Sequence, residues 1–154
     1  MKLTDALSGE HAVLRRLLDY ADPQIETWTL AEMQTAAATV AAALLSHAEI
    51  EDELLFAALA PHFGETGPVA AMREEHEQID QAFARLDAAG DLSEGRAAFR
   101  QVNALSRAHF AKEEAVLFHL AERVLAPPEL EGLGKAWARC ANTSTIHQHC
   151  KEPS

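Results

Sequence analysis

The 154-residue chain has little cysteine, a shortage of positive charge and no long apolar run. Its 2 cysteines are too few for a disulfide framework, so a reducing cytoplasm is the expected location. With 13 basic and 24 acidic residues, the net charge of −11 repels phosphate groups, so neither nucleic acid nor a membrane surface is an expected partner. No apolar stretch approaches the roughly 20 residues that cross a bilayer, and the N-terminus lacks the apolar run of a signal peptide.

Glycine, proline and aromatic residues are also sparse, and alanine and leucine dominate an apolar content of 48%, which favours helix. Apolar residues recur at helical spacing in four long segments, and a shorter segment follows. The predicted helices cover about residues 8–19 (with an alternative start at Thr4), 29–60 (opening on the capping box Thr29-Leu-Ala-Glu32), 68–89, 93–125 and 129–141. Short connections predict an all-α, antiparallel up-down four-helix bundle with a short fifth helix over 1–141, and 142–154 as a flexible polar tail.

The apolar stripes predict which side chains face the core of the bundle. On the first and second helices they are Leu3, Leu7, Leu14, Leu18, Met33, Val40, Leu44, Leu54 and Ala58. On the third and fourth helices they are Val69, Met72, Ile79, Phe83, Leu86, Phe99, Val102, Val116 and Leu120.

The chain contains an internal repeat. The segment SHAEIEDELLFA at 46–57 aligns with AHFAKEEAVLFH at 108–119, and both copies have His, then Glu four residues later, then Leu-Phe at eight and nine. A second pair, Glu10-His11 and Glu75-His76, lies on the first and third helices. The chain therefore reads as two helix pairs, each with a lone His on its first helix and His-x-x-x-Glu on its second.

Six polar residues of this repeat fall on the predicted core faces. They are His11, His47, Glu51, His76, His109 and Glu113. A His and a Glu four residues apart differ by about 40° around a helix, so both can converge on one point. Burying each without a partner would cost on the order of 1–3 kcal/mol or more, which a marginally stable domain cannot tolerate six times.

Bound metal satisfies all six groups. Imidazole and carboxylate are good ligands for iron, zinc, copper or manganese, and this set is too large for one tetrahedral ion but suits two octahedral ions. The alternative is a metal-free buried network in which every member is paired.

The pattern resembles the hemerythrin-like family, which has His-His-Glu cation-binding motifs. The resemblance covers about residues 5–125 and rests on Glu10-His11, His47-x-x-x-Glu51 with Leu55-Phe56, Glu75-His76, and His109-x-x-x-Glu113-Glu114 with Leu117-Phe118. It implies two non-haem iron ions with an oxo or hydroxo bridge, both glutamates bridging, and a small diatomic ligand or peroxide at an open position.

The chain departs from the oxygen-carrying members, which have His-x-x-x-His on the third helix and His-x-x-x-x-Asp on the fourth. Here Asp80 stands four residues after His76, and the last motif is His109-x-x-x-Glu113. Reversible oxygen storage is therefore not expected, and Asp80 is left open as a metal ligand or a surface carboxylate. No Glu stands three residues before a His, which disfavours the other di-iron bundles with Glu-x-x-His.

Three classes of function remain open. The leading one is binding or sensing of dioxygen or nitric oxide, with a separate reductase or signalling partner. The second is an enzyme that turns over peroxide or nitric oxide, or an iron donor in repair of iron–sulfur clusters. The third is a storage or structural metal site.

Other polar residues receive simpler interpretations. Those interpreted as solvated side chains or bystanders are Asp52, Glu53, Glu74, Glu114, His62 and His119. Tyr20 lies on the opposite side of its helix from His11, which argues against a tyrosyl radical. A second metal site from Cys140, His147, His149 and Cys150 is the alternative to a packed Cys140 and a flexible end.

Overall fold

The structure, a computed structural model, describes residues 1–64 and 67–141, and every regular element in these ranges is helical. In chain order the elements are α1 (Leu3–Gln24), α2 (Leu30–Ile50), π1 (Glu51–Phe56), α3 (Ala57–Phe63), α4 (Pro68–Asp87), α5 (Leu92–Lys112), π2 (Glu113–Leu117), α6 (Phe118–Val124) and α7 (Pro127–Ala141). No break separates α2, π1 and α3, or α5, π2 and α6, so the described residues form four long helices and a short fifth. The prediction of an all-α bundle with a C-terminal helix is confirmed.

The long helices pack as a bundle around one axis. Each long helix contacts the next along the chain, and the fourth also contacts the first. The short α7 lies against α1 and π1. Gly134 permits this close crossing, because any side chain there would overlap the backbone of Met1 and Lys2.

Several helix ends follow local sequence signals. The Thr29 side chain accepts a hydrogen bond from the backbone of Glu32, whose carboxylate accepts one from the backbone of Thr29 at 2.8 Å. This is the capping box that the sequence predicts. The second long helix ends at Gly64, whose φ of 68° a residue with a side chain rarely adopts. Pro61 does not stop it as predicted, because a proline in the last turn removes only one backbone donor.

The first helix is longer than the predicted 8–19, and its start agrees within one residue with the alternative start at Thr4. It begins at Leu3 and ends at Gln24, and it keeps Pro23 in its last turn. The additional turns bury Leu3 and Ala21 completely or nearly so, and this packing against the rest of the bundle extends the helix.

The apolar core is divided into three clusters along the bundle axis. Leu7, Leu54 and Leu117 belong to the cluster near α7, and Leu14 and Leu44 belong to the next one. A third cluster lies at the far end of the bundle, around Phe99. The polar residues of the repeat occupy the level between the first two clusters, since they fall between these leucines along their helices.

Two π-helical segments interrupt the regular α-helices, and each begins at a glutamate of the repeated motif. Segment π1 starts at Glu51, and π2 starts at Glu113. In π2 the backbone N–H of Phe118 donates to the carbonyl of Glu113, five residues earlier. Such wider turns place one extra residue in the helix and occur frequently at functional sites.

The extra residue moves the apolar stripe by one position beyond each glutamate. Val116 is 52% exposed, whereas Leu117 is 1% exposed. Val116 and Leu120 are predicted to face the core but are displaced from it. The buried residues that take their places are Leu117 and Ala121, while in the second helix Leu59 is buried beside Ala58, which is partly buried and still packs against the core. The prediction for Val116 and Leu120 was wrong because it assumed 3.6 residues per turn throughout.

At the C-terminal end, Cys140 is buried, as the interpretation of a packed cysteine predicts. His147, His149 and Cys150 of the alternative tail site lie outside the described residues, as does the predicted tail. Within the described part of the chain, no helix combines the length and the apolar character needed to cross a membrane.

The shifted register predicts opposite responses for two adjacent residues. Leu117→Ala should lower the free energy of unfolding by about 2–5 kcal/mol, because it leaves a cavity in the core. Val116→Ala should change it by no more than about 0.5 kcal/mol, because Val116 faces solvent. Urea unfolding at a fixed metal content measures both. The reverse order would show that the fourth helix keeps α-helical register through Glu113.

Candidate metal centre

The structure brings all six predicted polar residues together inside the bundle. They form two groups, one of His11 and His47 and one of His76 and His109, and both groups include the same two glutamates. Within each group the candidate ligand atoms lie within 4.8 Å of one another. Five of the six side chains are at most 4% exposed, and His76 is 12% exposed.

The histidines of each group face each other through their Nε2 atoms. The Nε2 atoms of His11 and His47 are 3.0 Å apart, and those of His76 and His109 are also 3.0 Å apart. Two nitrogens that each lie about 2.1 Å from the same ion are about 3.0 Å apart when the nitrogen–ion–nitrogen angle is a right angle, as in an octahedron. They are about 3.4 Å apart at the tetrahedral angle. The observed spacing therefore fits adjacent positions of an octahedral ion.

Each glutamate reaches both groups. One oxygen of Glu51, Oε1, lies 3.2 Å from Nε2 of His47, while its other oxygen, Oε2, lies 3.4 Å from Nε2 of His76. The Oε2 of Glu113 lies 3.2 Å from Nε2 of His11 and 3.3 Å from Nε2 of His109. Glu51 thus faces each group with a different oxygen, as a carboxylate bridging two ions would, whereas Glu113 faces both groups with the same oxygen.

The carboxylates lack conventional partners. All four side-chain oxygens of Glu51 and Glu113 are buried without a hydrogen bond to any of the described residues. A buried carboxylate without a hydrogen-bond donor is among the costliest groups in a protein interior. Metal ions would satisfy these oxygens, so the donor set and its geometry fit a metal centre.

The second ring nitrogen of each histidine faces a carboxylate on a neighbouring helix. The Nδ1 pairs are Glu114 with His11 (2.9 Å), Glu10 with His47 (2.7 Å), Glu75 with His109 (3.1 Å) and Asp52 with His76 (3.9 Å). The first three are hydrogen bonds, and the fourth is an ion-pair contact. Carboxylates in this position favour the tautomer whose Nε2 lone pair faces the centre, and they orient the ring.

These outer carboxylates are held in turn by donors. Arg15 donates to both oxygens of Glu114 (2.8 and 2.9 Å), and Trp137 Nε1 donates to Glu10 (2.7 Å). Arg73 donates to Asp52 (2.8 Å), and Lys112 donates to Glu75. The fifth helix thus reaches the centre through Trp137 and Glu10.

The interpretation of Asp52 and Glu114 as solvated side chains was wrong. Each follows a motif glutamate directly and turns to the lone histidine of the other helix pair. The repeat carries the signal that could have identified them, since an acidic residue follows the glutamate in both copies. Glu74 is exposed, as are His62 and His119, whereas Glu53 is partly buried.

Aromatic rings enclose the lone histidines and explain the repeated Leu-Phe. Phe118 stacks on His11 with ring centres 5.5 Å apart, and Phe56 stacks on His76 at 5.6 Å. A second ring, Phe110, stacks on His11 alone at 4.3 Å. These contacts exclude water from the centre, which strengthens electrostatic interactions inside it.

Asp80, which the sequence left open, is exposed and belongs to neither ligand group among the described residues. It lines a small cavity with His47, His76 and His109. Tyr20 is 68% exposed on the surface of α1.

Charges around the centre shift the pKa values of His47, His76 and Glu113. Burial disfavours the imidazolium of His47, but attraction to Glu51 and the hydrogen bond to Glu10 outweigh burial and raise its pKa to about 10. For His76 burial is likewise outweighed by Asp52 and Glu51, and its pKa rises to about 9. Burial together with repulsion from Glu51 raises the pKa of Glu113. In the metal-free protein, protons on these histidines therefore balance the buried carboxylate charge at neutral pH.

The raised pKa values predict a pH dependence for the metal-free protein. Between about pH 6.5 and pH 9 the folded protein binds more protons at His47 and His76 than the unfolded chain, whose histidines titrate near pH 6.5. This contribution to stability is fully present below pH 6.5 and is lost as the pH rises through the folded values. Urea unfolding with a chelator should show the free energy of unfolding falling over this range. The slope should persist in His119→Gln and decrease in His47→Gln, and a rising free energy in the parent protein would contradict the assignment.

The outer carboxylates generate a second prediction. Glu114→Gln and Glu75→Gln should each weaken metal binding by about 10–100-fold, because the amide no longer holds the histidine tautomer and basicity. Glu74→Gln, an exposed change one residue from Glu75, is the matched control and should leave affinity unchanged. Competition with a chromogenic chelator measures all three. Equal affinities for Glu114→Gln and the control would refute the orienting role.

Comparison with known proteins agrees with this geometry. Residues 2–121 match the family model of the hemerythrin HHE cation-binding domain. Searches of curated proteins and of solved structures found no match. Because the match covers most of the chain and includes all six inward-facing residues, the chain belongs to the hemerythrin HHE cation-binding domain family.

Proposed function

We propose that the chain holds two iron ions between its four long helices and binds a small molecule such as dioxygen or nitric oxide there. The observation that carries this proposal is the pair of ligand groups that share Glu51 and Glu113. His11 and His47 would hold one ion, His76 and His109 would hold the other, and the glutamates would bridge them.

Two ions suit the donor set better than one. Each pair of histidines has its own 3.0 Å Nε2 contact, and Glu51 directs a different oxygen to each pair. A single ion placed between one pair of histidines would leave the other pair without a ligand role. Two divalent ions also supply enough positive charge to balance two buried carboxylates in a medium of low dielectric constant.

Iron is proposed on the chemistry of the donors and on the family. Imidazole nitrogen and carboxylate oxygen suit iron in octahedral geometry, whereas no thiolate stands in either group. Iron would supply redox chemistry and an open coordination position. The protein supplies the bridges, the orientation of the rings and the exclusion of water.

The burial of the centre favours a small ligand. His11, Glu51 and Glu113 are completely buried, so a bulky substrate has no approach to them. The same burial argues against an iron donor, because release would require the helices to separate. An enzyme that turns over peroxide or nitric oxide is the second candidate, since a catalyst needs a polar group beside its open position and the carboxylate of Asp80 lines the cavity beside the histidines.

A sensing or enzymatic role requires a second protein. Electrons must come from a separate reductase, or the bound state must be transmitted to a signalling partner. The cytoplasmic location stays a prediction.

Metal analysis tests the proposal directly. Protein produced with sufficient iron should contain about two iron ions per chain, and Glu51→Ala should lose the pairing because one bridge is removed. Magnetic measurements report whether the ions are coupled, and Glu74→Ala, an exposed change, should match the parent protein. One tightly held ion per chain, or intact coupling in Glu51→Ala, would overturn the two-ion arrangement.

A further inference from the structure

The two halves of the repeat are alike in their ligands but differ beside them. His47 is followed by Ala48, whereas the matching His109 is followed by Phe110. Four residues after the lone histidine stands Arg15 in the first half and Asp80 in the second. The matched positions therefore allow the surroundings of the two ligand groups to be compared directly.

The side of His11 is closed. The ring of Phe110 stacks on His11 at 4.3 Å, nearly parallel at 24°. The guanidinium of Arg15 covers Phe110 at 5.6 Å and binds both oxygens of Glu114. Nothing of ligand size can enter between these groups without displacing a stacked ring.

The matching space in the other half is open. Because Ala48 has only a methyl group, a cavity of about 30 Å³ remains beside His76 and His109, and Asp80, His47 and Phe110 are among its other lining residues. A water molecule needs roughly 10–15 Å³ measured in this way, so the space holds about two water-sized groups. His76 is also the most exposed of the six residues.

We infer that a diatomic or triatomic ligand reaches the centre through this cavity, beside His76 and His109, and that Ala48 sets its size limit. The inference rests on the proposed metal centre and specifies where its ligand binds. Three of the four imidazoles line the cavity and His11 does not, so the ligand is directed to one half of a nearly symmetric site.

A larger groove between α1, α2 and α7 provides the competing route. Its volume is about 430 Å³, and Trp137, Glu10 and His47 are among its lining residues. There, however, Glu10 is already bonded to Trp137 and to Nδ1 of His47. A molecule in this groove meets the outer side of His47 rather than the centre.

The test fills the cavity and measures ligand binding and metal content separately. Iron-loaded protein is titrated with azide and, after anaerobic reduction, with nitric oxide. Ala48→Phe, which introduces the side chain found at the matching position, should weaken both by at least 10-fold while two ions per chain remain. Ala48→Val should give a smaller loss, and Ala42→Phe, an exposed change on the same helix, should give none.

Each outcome decides between the inference and the proposed function. Normal affinity in an iron-loaded Ala48→Phe protein would overturn the inference and leave the metal centre standing. Fewer than two ions in the parent protein would instead overturn the proposed function. If Ala48→Phe does not fold, Ala48→Val decides, since unchanged affinity there with full metal content refutes the size limit.

Discussion

Two carboxylates buried at the centre of a helical bundle are the constraint on which the rest of the structure depends. Glu51 and Glu113 have no solvent exposure and no hydrogen-bond partner for their oxygens among the described residues. Four imidazoles point their Nε2 atoms at these oxygens, and four further carboxylates hold the imidazoles from behind. Without the two inner glutamates, the surrounding imidazoles and outer carboxylates would have no buried charge to balance. Each layer of polar groups offsets the electrostatic cost of burying the layer inside it.

The π-helical turns belong to the same constraint. Each begins at one of the buried glutamates, and each inserts one residue where its long helix passes the candidate metal centre. Without that insertion, the residues after Glu113 would present Val116 to the core, and Phe118 would not stack on His11 as it does. Each π-helical segment therefore lies where it lets a buried glutamate and the phenylalanine that encloses a histidine face the centre from the same long helix.

The sequence predicts the bundle and the convergence of the six polar residues because both depend on regular helical spacing and on an internal repeat. It does not predict the displacement of Leu120 by Ala121, because a wider turn leaves no local signature in composition. It also misses the outer role of Asp52, whose partner His76 lies on another long helix. Such contacts depend on how helices face each other, which spacing within one helix cannot specify.

The repeat explains how the chain builds a paired site and also how it makes the two halves unequal. Duplicated His-x-x-x-Glu segments supply matching ligands, and Phe56 and Phe118 enclose matching histidines. Two pairs of matched positions beside the centre differ without joining either group, Phe110 against Ala48 and Arg15 against Asp80. On the proposed function, substitution there would change access while the six inner residues stay in place, because those residues are positioned by the helices. A symmetric scaffold can in this way direct a small molecule to one side of its centre.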